Sequence, residues 1–254
     1  MSARVAVNGA AGRMGRTVIE TAAGRDDLEV VVGFDVADVD EVAGVPVAAA
    51  SDVGEALAEY APEVVVDFTV PESTLALADA CVEAGVGLVV GTTGFEDDEL
   101  ARLREAGEAV PVLKATNFSR GIQVLLRTVR EAVSALDGYD LELTETHHND
   151  KIDAPSGTAN TILETVQEER DVDPVYGREG HAPRAEDEIG VFARRAGDIR
   201  GEHELVLAGN DEVVSLSHRA EDRAVFAAGA LDAAAWLAGR EAGWYDFGAV
   251  IDEA

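Results

Sequence analysis

Two adjacent histidines, His147 and His148, are followed by Lys151 and by the turn-forming run Ala154-Pro-Ser-Gly-Thr158. The chain has five histidines and 50 acidic residues, and Lys114 and Lys151 are its only lysines, so this density of donors stands apart from the rest of the sequence. If the alternating strand pattern of residues 139–144 runs on to His147, that side chain shares a face with Leu141, Leu143 and Glu145, and His148 points the other way. Pro155 bars helix at the residue before it, and Ser156 suits the N-cap of a helix over residues 158–169. The N–H groups of Ser156, Gly157 and Thr158 then form a nest that holds a carboxylate. A histidine that exchanges protons near neutral pH, a fixed ammonium and an anion nest suit a single task. They gather a small dicarboxylate whose ring carbon receives a hydride while a neighbouring atom gains a proton. Zinc fits poorly, because adjacent strand histidines diverge and no cysteine or third histidine is close in sequence. Asp153 reads as a hydrogen-bond acceptor in the loop.

A carrier for the hydride has its place earlier in the chain. Short apolar runs at 5–7, 30–34, 64–67, 88–90 and 110–113 alternate with helical patterns at 13–23, 72–84 and 97–106, the rhythm of βαβ units and a parallel sheet. Gly9, Gly12 and Gly15 follow the first strand and open a helix, a context in which backbone N–H groups approach a pyrophosphate. Asp35 ends the second strand 20 residues beyond Gly15, where an acid binds ribose hydroxyls. It repels a 2′-phosphate, and Val36 brings no cation beside it, although Arg13 and Arg16 reach out from the first helix. The cofactor reading is therefore NADH over NADPH. The loops Gly91-Thr-Thr-Gly94 and Ala115-Thr-Asn-Phe-Ser119 lie beyond strand ends, where open α/β sheets place ligands. Their hydroxyls and amides suit a nicotinamide carboxamide and ribose.

After Phe118 the rhythm changes. A helix over 121–136 leads into the half-exposed strand pattern at 139–144, and segments 189–192, 203–207 and 212–216 read as strands of an antiparallel sheet. An apolar helix over 224–237 follows. The fold class is α/β: a Rossmann-type parallel-sheet domain over 1–118, then an α+β domain with a mainly antiparallel sheet over 119–218.

The length of 254 residues with 47% hydrophobic content allows a sizeable core. No run reaches the ~18 apolar residues of a membrane span, and the N-terminus enters a strand pattern with no leader-like stretch, so the chain reads as cytoplasmic. One cysteine, Cys81, excludes an internal disulfide and falls on a helical apolar stripe, as a packed core thiol does. A net charge of −30 argues against nucleic acid and anionic membranes as partners. With acids along nearly every helix, the fold is expected to need salt to screen its own repulsion.

In this order, "NGAAGRMGR", "VVDFTVPEST", "VVGTTGF", "ATNFSRG", "HHNDKIDAPSGTA" and "RAGDIRGEHEL" resemble the dihydrodipicolinate reductase family over nearly the whole chain. These are the 4-hydroxy-tetrahydrodipicolinate reductases of the diaminopimelate route to lysine. The resemblance implies that segment 219–254 returns to the Rossmann domain, that the α+β domain forms a homotetramer, and that a hinge closes over substrate. It implies His147 as proton donor and acceptor and Lys151 as a second donor. His148, Gly157 and Thr158 would hold substrate, with Ser156 and Thr93 nearby. Gly9, Ala10, Ala11, Gly12, Arg13, Met14, Asp35, Gly91, Thr92, Thr93, Ala115, Thr116, Asn117 and Phe118 would line the dinucleotide. The hydride would go to ring C4 with loss of the C4 hydroxyl as water. Asn149-Asp150 stand where the family usually has a basic residue. Two other readings compete: another two-domain Rossmann dehydrogenase acting on a small carboxylate, and a nicotinamide-sensing protein without turnover. A catalytic cysteine would favour a semialdehyde enzyme, but Cys81 is misplaced in a helix; the His147 and Lys151 pair speaks against the sensor.

Overall fold

A computed structural model describes residues 2–253. The chain divides into two compact units, one running to Ser119 and resuming at Arg223, the other Arg120–Asp222. The first pass lays down β1 (Ala3–Asn8), α1 (Arg13–Ala22), β2 (Leu28–Asp35), β3 (Glu41–Val42), β4 (Val45–Ala49), α2 (Val53–Tyr60), β5 (Val64–Asp67), α3 (Pro71–Ala84), β6 (Gly87–Val90), α4 (Asp97–Ala106) and β7 (Pro111–Lys114). The second unit holds α5 (Arg120–Ala135), β8 (Asp140–His147), α6 (Gly157–Glu169), β9 (Asp173–Tyr176), β10 (Glu188–Arg195), β11 (Glu202–Gly209) and β12 (Glu212–Arg219). The chain then contributes α7 (Ala224–Leu237), β13 (Gly243–Tyr245) and α8 (Phe247–Asp252) to the first unit.

The first sheet has the order β13-β7-β6-β5-β1-β2-β4-β3. Its pairs are parallel except β3 with β4. Side-chain alternation sends Val5, Val7, Val64, Val66 and Leu113 to one face, against α1 and α7. Ala6, Val32, Phe34, Val65, Leu88 and Val112 go to the other, against Leu57, Leu75, Ala78, Cys81 and Leu103. A strand buried on both faces must be apolar throughout, which is why its periodicity vanishes from the sequence. Each fully buried Val or Leu contributes about 1.5–3 kcal/mol. The helix α3 begins with proline at its first turn and stops at Gly85, whose φ of +69° only glycine adopts without strain. Glu96 and Glu99 close a capping box on α4.

The second sheet has the order β12-β11-β8-β10-β9. Here β11 runs antiparallel to both β8 and β12, while β10 runs parallel to both β8 and β9. Segment 189–192 is thus corrected from an antiparallel to a parallel strand, because the chain crosses over through α6 to β9 and again through residues 177–187 to β10. Leu141, Leu143, Ile189, Val191, Leu205 and Leu207 meet Ile122, Leu125 and Val129 of α5 and Ile162 and Val166 of α6 in one core. Burying that face fixes the register of β8, since a one-residue slip would turn every side chain over.

Candidate active site

In the first unit the sheet order reverses between β1 and β5, so the loops after these strands border the crevice where such sheets bind ligands. Gly9 has φ +75°, and a Cβ on Gly15 would lie 2.0 Å from the Gly9 carbonyl oxygen, so both glycines are required for the tight strand-to-helix turn. Gly12 and Arg13 are exposed at the start of α1, whose first turn carries no acidic residue and no side-chain cap. That leaves a helix start suited to a pyrophosphate. Asp35 accepts from Ala11 N at 2.8 Å and Ala37 N at 2.9 Å, and so ties the end of β2 to the glycine loop. Arg16 donates to the Ala11 carbonyl at 2.9 Å.

A buried carboxylate that the sequence reading passed over organises these loops. Asp67, at 0% exposure, accepts from Asn8 Nδ2 at 2.8 Å and from the hydroxyls of Thr69, Thr74 and Thr92 at 2.7, 2.6 and 2.7 Å. The Thr92 hydroxyl also accepts from Thr69 N. The side chain of Thr92 therefore faces inward, and Thr93 and Gly94 are the exposed members of their loop. The Phe118 ring is likewise core, packed on Phe68 and Phe247 with centroids 5.8 and 5.2 Å away. Thr116 is exposed, with Ala115 and Asn117 half-buried beside it. Cys81 is fully buried, and burial followed by the charge of Asp67 pushes its thiol up to about 12, which removes it as a nucleophile.

In the second unit β8 delivers Glu145 and His147 to the same buried face. His147 Nδ1 lies 2.6 Å from Glu145 Oε2. Arg195 grips Glu145 bidentately, NH1 to Oε2 at 2.8 Å and NH2 to Oε1 at 2.7 Å, and Ser156 N donates to Oε1 at 3.1 Å. Burial alone would raise the Glu145 carboxyl, but hydrogen bonds from His147 and Arg195 outweigh it and draw the pKa down to about 2. Glu145 is therefore an acceptor, the Nδ1 nitrogen of His147 carries a hydrogen, and Nε2 is the ring's second polar atom. Gly201 backs Nε2 so closely that a Cβ there would sit 3.0 Å from it.

Arg195 also donates to the carbonyls of Lys151 at 3.2 Å and Asp153 at 2.6 Å, so one guanidinium fixes both the strand of His147 and the loop of Lys151. Lys151 Nζ bonds Asp153 at 2.8 Å, which makes Asp153 an ion-pair partner. Ser156 caps α6, its Oγ accepting from Ala159 N at 3.2 Å and lying 3.0 Å from His203 Nε2. Gly157 opens α6 with nothing within 4 Å of a Cβ built on it, so a ligand has room to reach the helix start. Thr158 is buried, and His148 is half-buried just past the end of β8.

Glu145, Arg195 and His203 had no assigned role from sequence. Only Glu145 carried a local signal, two residues before His147 on the same strand face. Among the described residues no His, Cys, Asp and Glu cluster could hold a metal, and no helix is long and apolar enough to cross a membrane.

A parallel sheet with a glycine turn at its switch point, and a second unit in which one guanidinium holds the Glu145–His147 pair and the Lys151 loop, suit a pyridine-nucleotide oxidoreductase of a small carboxylate. Two family models agree: "Dihydrodipicolinate reductase, N-terminus" over residues 3–118 and "Dihydrodipicolinate reductase, C-terminus" over 121–251. The chain belongs to the dihydrodipicolinate reductase family and is a reductase of the diaminopimelate route to lysine. It is 69% identical to the 4-hydroxy-tetrahydrodipicolinate reductase of Haloarcula marismortui, over 98% of this chain and 99% of that one. It is 55% identical to that of Natronomonas pharaonis, over 96% and 98%. The dipicolinate-bound dihydrodipicolinate reductase of Paenisporosarcina sp. TG-14 shares the fold, with a TM-score of 0.79 at 24% identity over 97% and 98% of the two chains.

Proposed function

We propose that the chain reduces 4-hydroxy-tetrahydrodipicolinate to tetrahydrodipicolinate, taking up one hydride at ring C4 and one proton while the C4 hydroxyl leaves as water. The observation that carries this reading is the Glu145–His147 pair locked by Arg195 next to Lys151 and the start of α6. The dinucleotide supplies the hydride. The N–H groups from Gly9 to Met14 take its pyrophosphate, Asp35 its ribose hydroxyls, and the loops Gly91–Thr93 and Ala115–Phe118 its nicotinamide end. On the substrate side, the N–H groups of Gly157 and Thr158, with Ser156 and His148, take one carboxylate. Lys151 exchanges Asp153 for the substrate and serves as a second donor. His147 gives and takes the proton through Nε2, because Glu145 holds the hydrogen on Nδ1.

The first unit is assigned to the dinucleotide and the second to substrate and to contacts between subunits of a cytoplasmic homotetramer. The support for the latter is the face of the second sheet opposite α5 and α6, on which Phe192 stays half-buried and Val213 is 64% exposed. Asp35 beside Val36 supports NADH over NADPH. Salt dependence follows from a net charge of −30 and from a 69% identical relative that comes from a halophile. A dianion and an anionic cofactor must approach this surface, and the screening length falls from about 10 Å at 0.1 M salt to about 3 Å at 1 M.

One assay reads all of this: NADH or NADPH oxidation, coupled to a synthase that makes the unstable substrate in place, at low and molar KCl. The expected result is turnover with a higher kcat/KM for NADH, and a KM for substrate that falls as KCl rises. No turnover overturns the activity. Equal or better use of NADPH overturns the cofactor assignment, and a KM that climbs with salt overturns the charge argument.

A further inference from the structure

We infer that His203 is a positioning residue that turns the Ser156 hydroxyl into a hydrogen-bond donor for the bound carboxylate, an inference that rests on the reading of Ser156–Thr158 as the substrate nest. A hydroxyl oxygen has two lone pairs and one hydrogen. On Ser156 one lone pair accepts from Ala159 N at 3.2 Å. The remaining question is which way the hydrogen lies in the 3.0 Å contact between Ser156 Oγ and His203 Nε2.

The surroundings of His203 decide it. His203 is 4% exposed, its ring lies edge-on to the His147 ring at 5.2 Å, and among the described residues its Nδ1 has no hydrogen-bond partner. Desolvation, followed by repulsion from His147, holds its pKa down at about 4, so the ring is neutral at neutral pH and carries one hydrogen. On Nδ1 that hydrogen would be a buried donor with no acceptor. On Nε2 it is bonded, and Nδ1 keeps only a lone pair, which is the cheaper group to leave orphaned. The hydrogen therefore sits on Nε2 and is given to Ser156. Both lone pairs of Oγ are then filled, and the hydroxyl hydrogen is left for the ligand. In the opposite tautomer Ser156 would spend that hydrogen on the imidazole and turn a lone pair toward the incoming carboxylate, which repels it. The motif "GEHEL" thus supplies a residue that never touches substrate yet sets the polarity of one that does.

The test is a double-mutant cycle on dipicolinate binding, read by calorimetry in molar KCl on the full chain. His203→Phe and Ser156→Ala are each expected to weaken binding about tenfold, the scale of a hydrogen bond to a charged acceptor. The double variant is expected to bind no worse than Ser156→Ala. His203→Gln, whose amide N–H can replace Nε2–H, is expected to recover most of the loss. A ring that served only packing would give additive losses and no rescue by Gln, and either result overturns the inference, as does wild-type affinity in His203→Phe. Should His203→Phe fail to fold, His203→Asn, too short to reach Ser156, takes its place with the same expectations. If the wild-type protein does not bind dipicolinate, the nest itself is misassigned and the inference falls with it; binding by wild type with no effect at His203 sinks the inference alone.

Discussion

His147→Gln is expected to lower kcat by roughly 10²–10⁴-fold, the usual worth of a positioned proton donor, and to leave KM for the substrate within a few-fold. Glutamine keeps much of the volume and can still donate to Glu145 but cannot cycle a proton. The proposed roles put His147 in the chemical step and leave the carboxylates to Lys151 and the start of α6, so the loss is expected in turnover. Steady-state rates from the coupled assay check this, and a variant that turns over near the wild-type rate refutes the assignment. Lys151→Ala, by contrast, should damage both parameters.

The second large effect is on stability. Arg195→Met removes both bonds to Glu145 and the two bonds that hold the carbonyls of Lys151 and Asp153. The Arg195 side chain is 19% exposed and that of Glu145 0%, so the variant strands a buried carboxylate. Removing one partner of a buried pair costs about 3–5 kcal/mol, and at about 2–4 °C per kcal/mol for a chain of this size the midpoint drops by about 10 °C. The acid limb moves as well. In the wild type the Glu145 pKa is depressed from 4.5 to about 2. Its contribution is therefore complete above about pH 5 and is lost as pH falls through 4.5 towards 2. Without Arg195 the folded pKa rises towards or above the unfolded value, so that contribution shrinks or changes sign. Thermal melts between pH 7 and pH 3 check both statements. A variant that melts within a degree of wild type at every pH shows that the clamp carries no weight.

The pattern of what could be read in advance follows from how far each signal travels along the chain. Helix α4 has the expected bounds because its capping box is written in residues close in sequence, and α7 because its apolar run is continuous along the sequence. Ser156 as N-cap and the turn at Gly9 are equally local. The direction of β10 is not, since alternation along a strand is the same whichever way its neighbour runs; the connections through α6 and through residues 177–187 decide it. Distance also hid the partners that hold the second unit's candidate site in place. Glu145 and Arg195 are 50 residues apart, Ser156 and His203 are 47 apart, and nothing in either segment alone says that the two meet. The same holds for Asp67, which gathers Asn8 from 59 residues away and Thr92 from 25. Its place at the end of a wholly apolar strand was visible, but a buried acid is intelligible only once its four donors are known. Candidate ligand-facing residues were thus named largely from motifs, and the residues that hold them in place came from the structure.

A crystal structure of the chain with dipicolinate and nicotinamide dinucleotide measures the central claim directly. The expected result is one ring carboxylate on the N–H groups of Gly157 and Thr158, Lys151 drawn off Asp153 onto the ligand, and His147 Nε2 within hydrogen-bond reach of the ring, with Nδ1 still on Glu145. A ring bound elsewhere, with His147 and Lys151 left facing solvent, contradicts it.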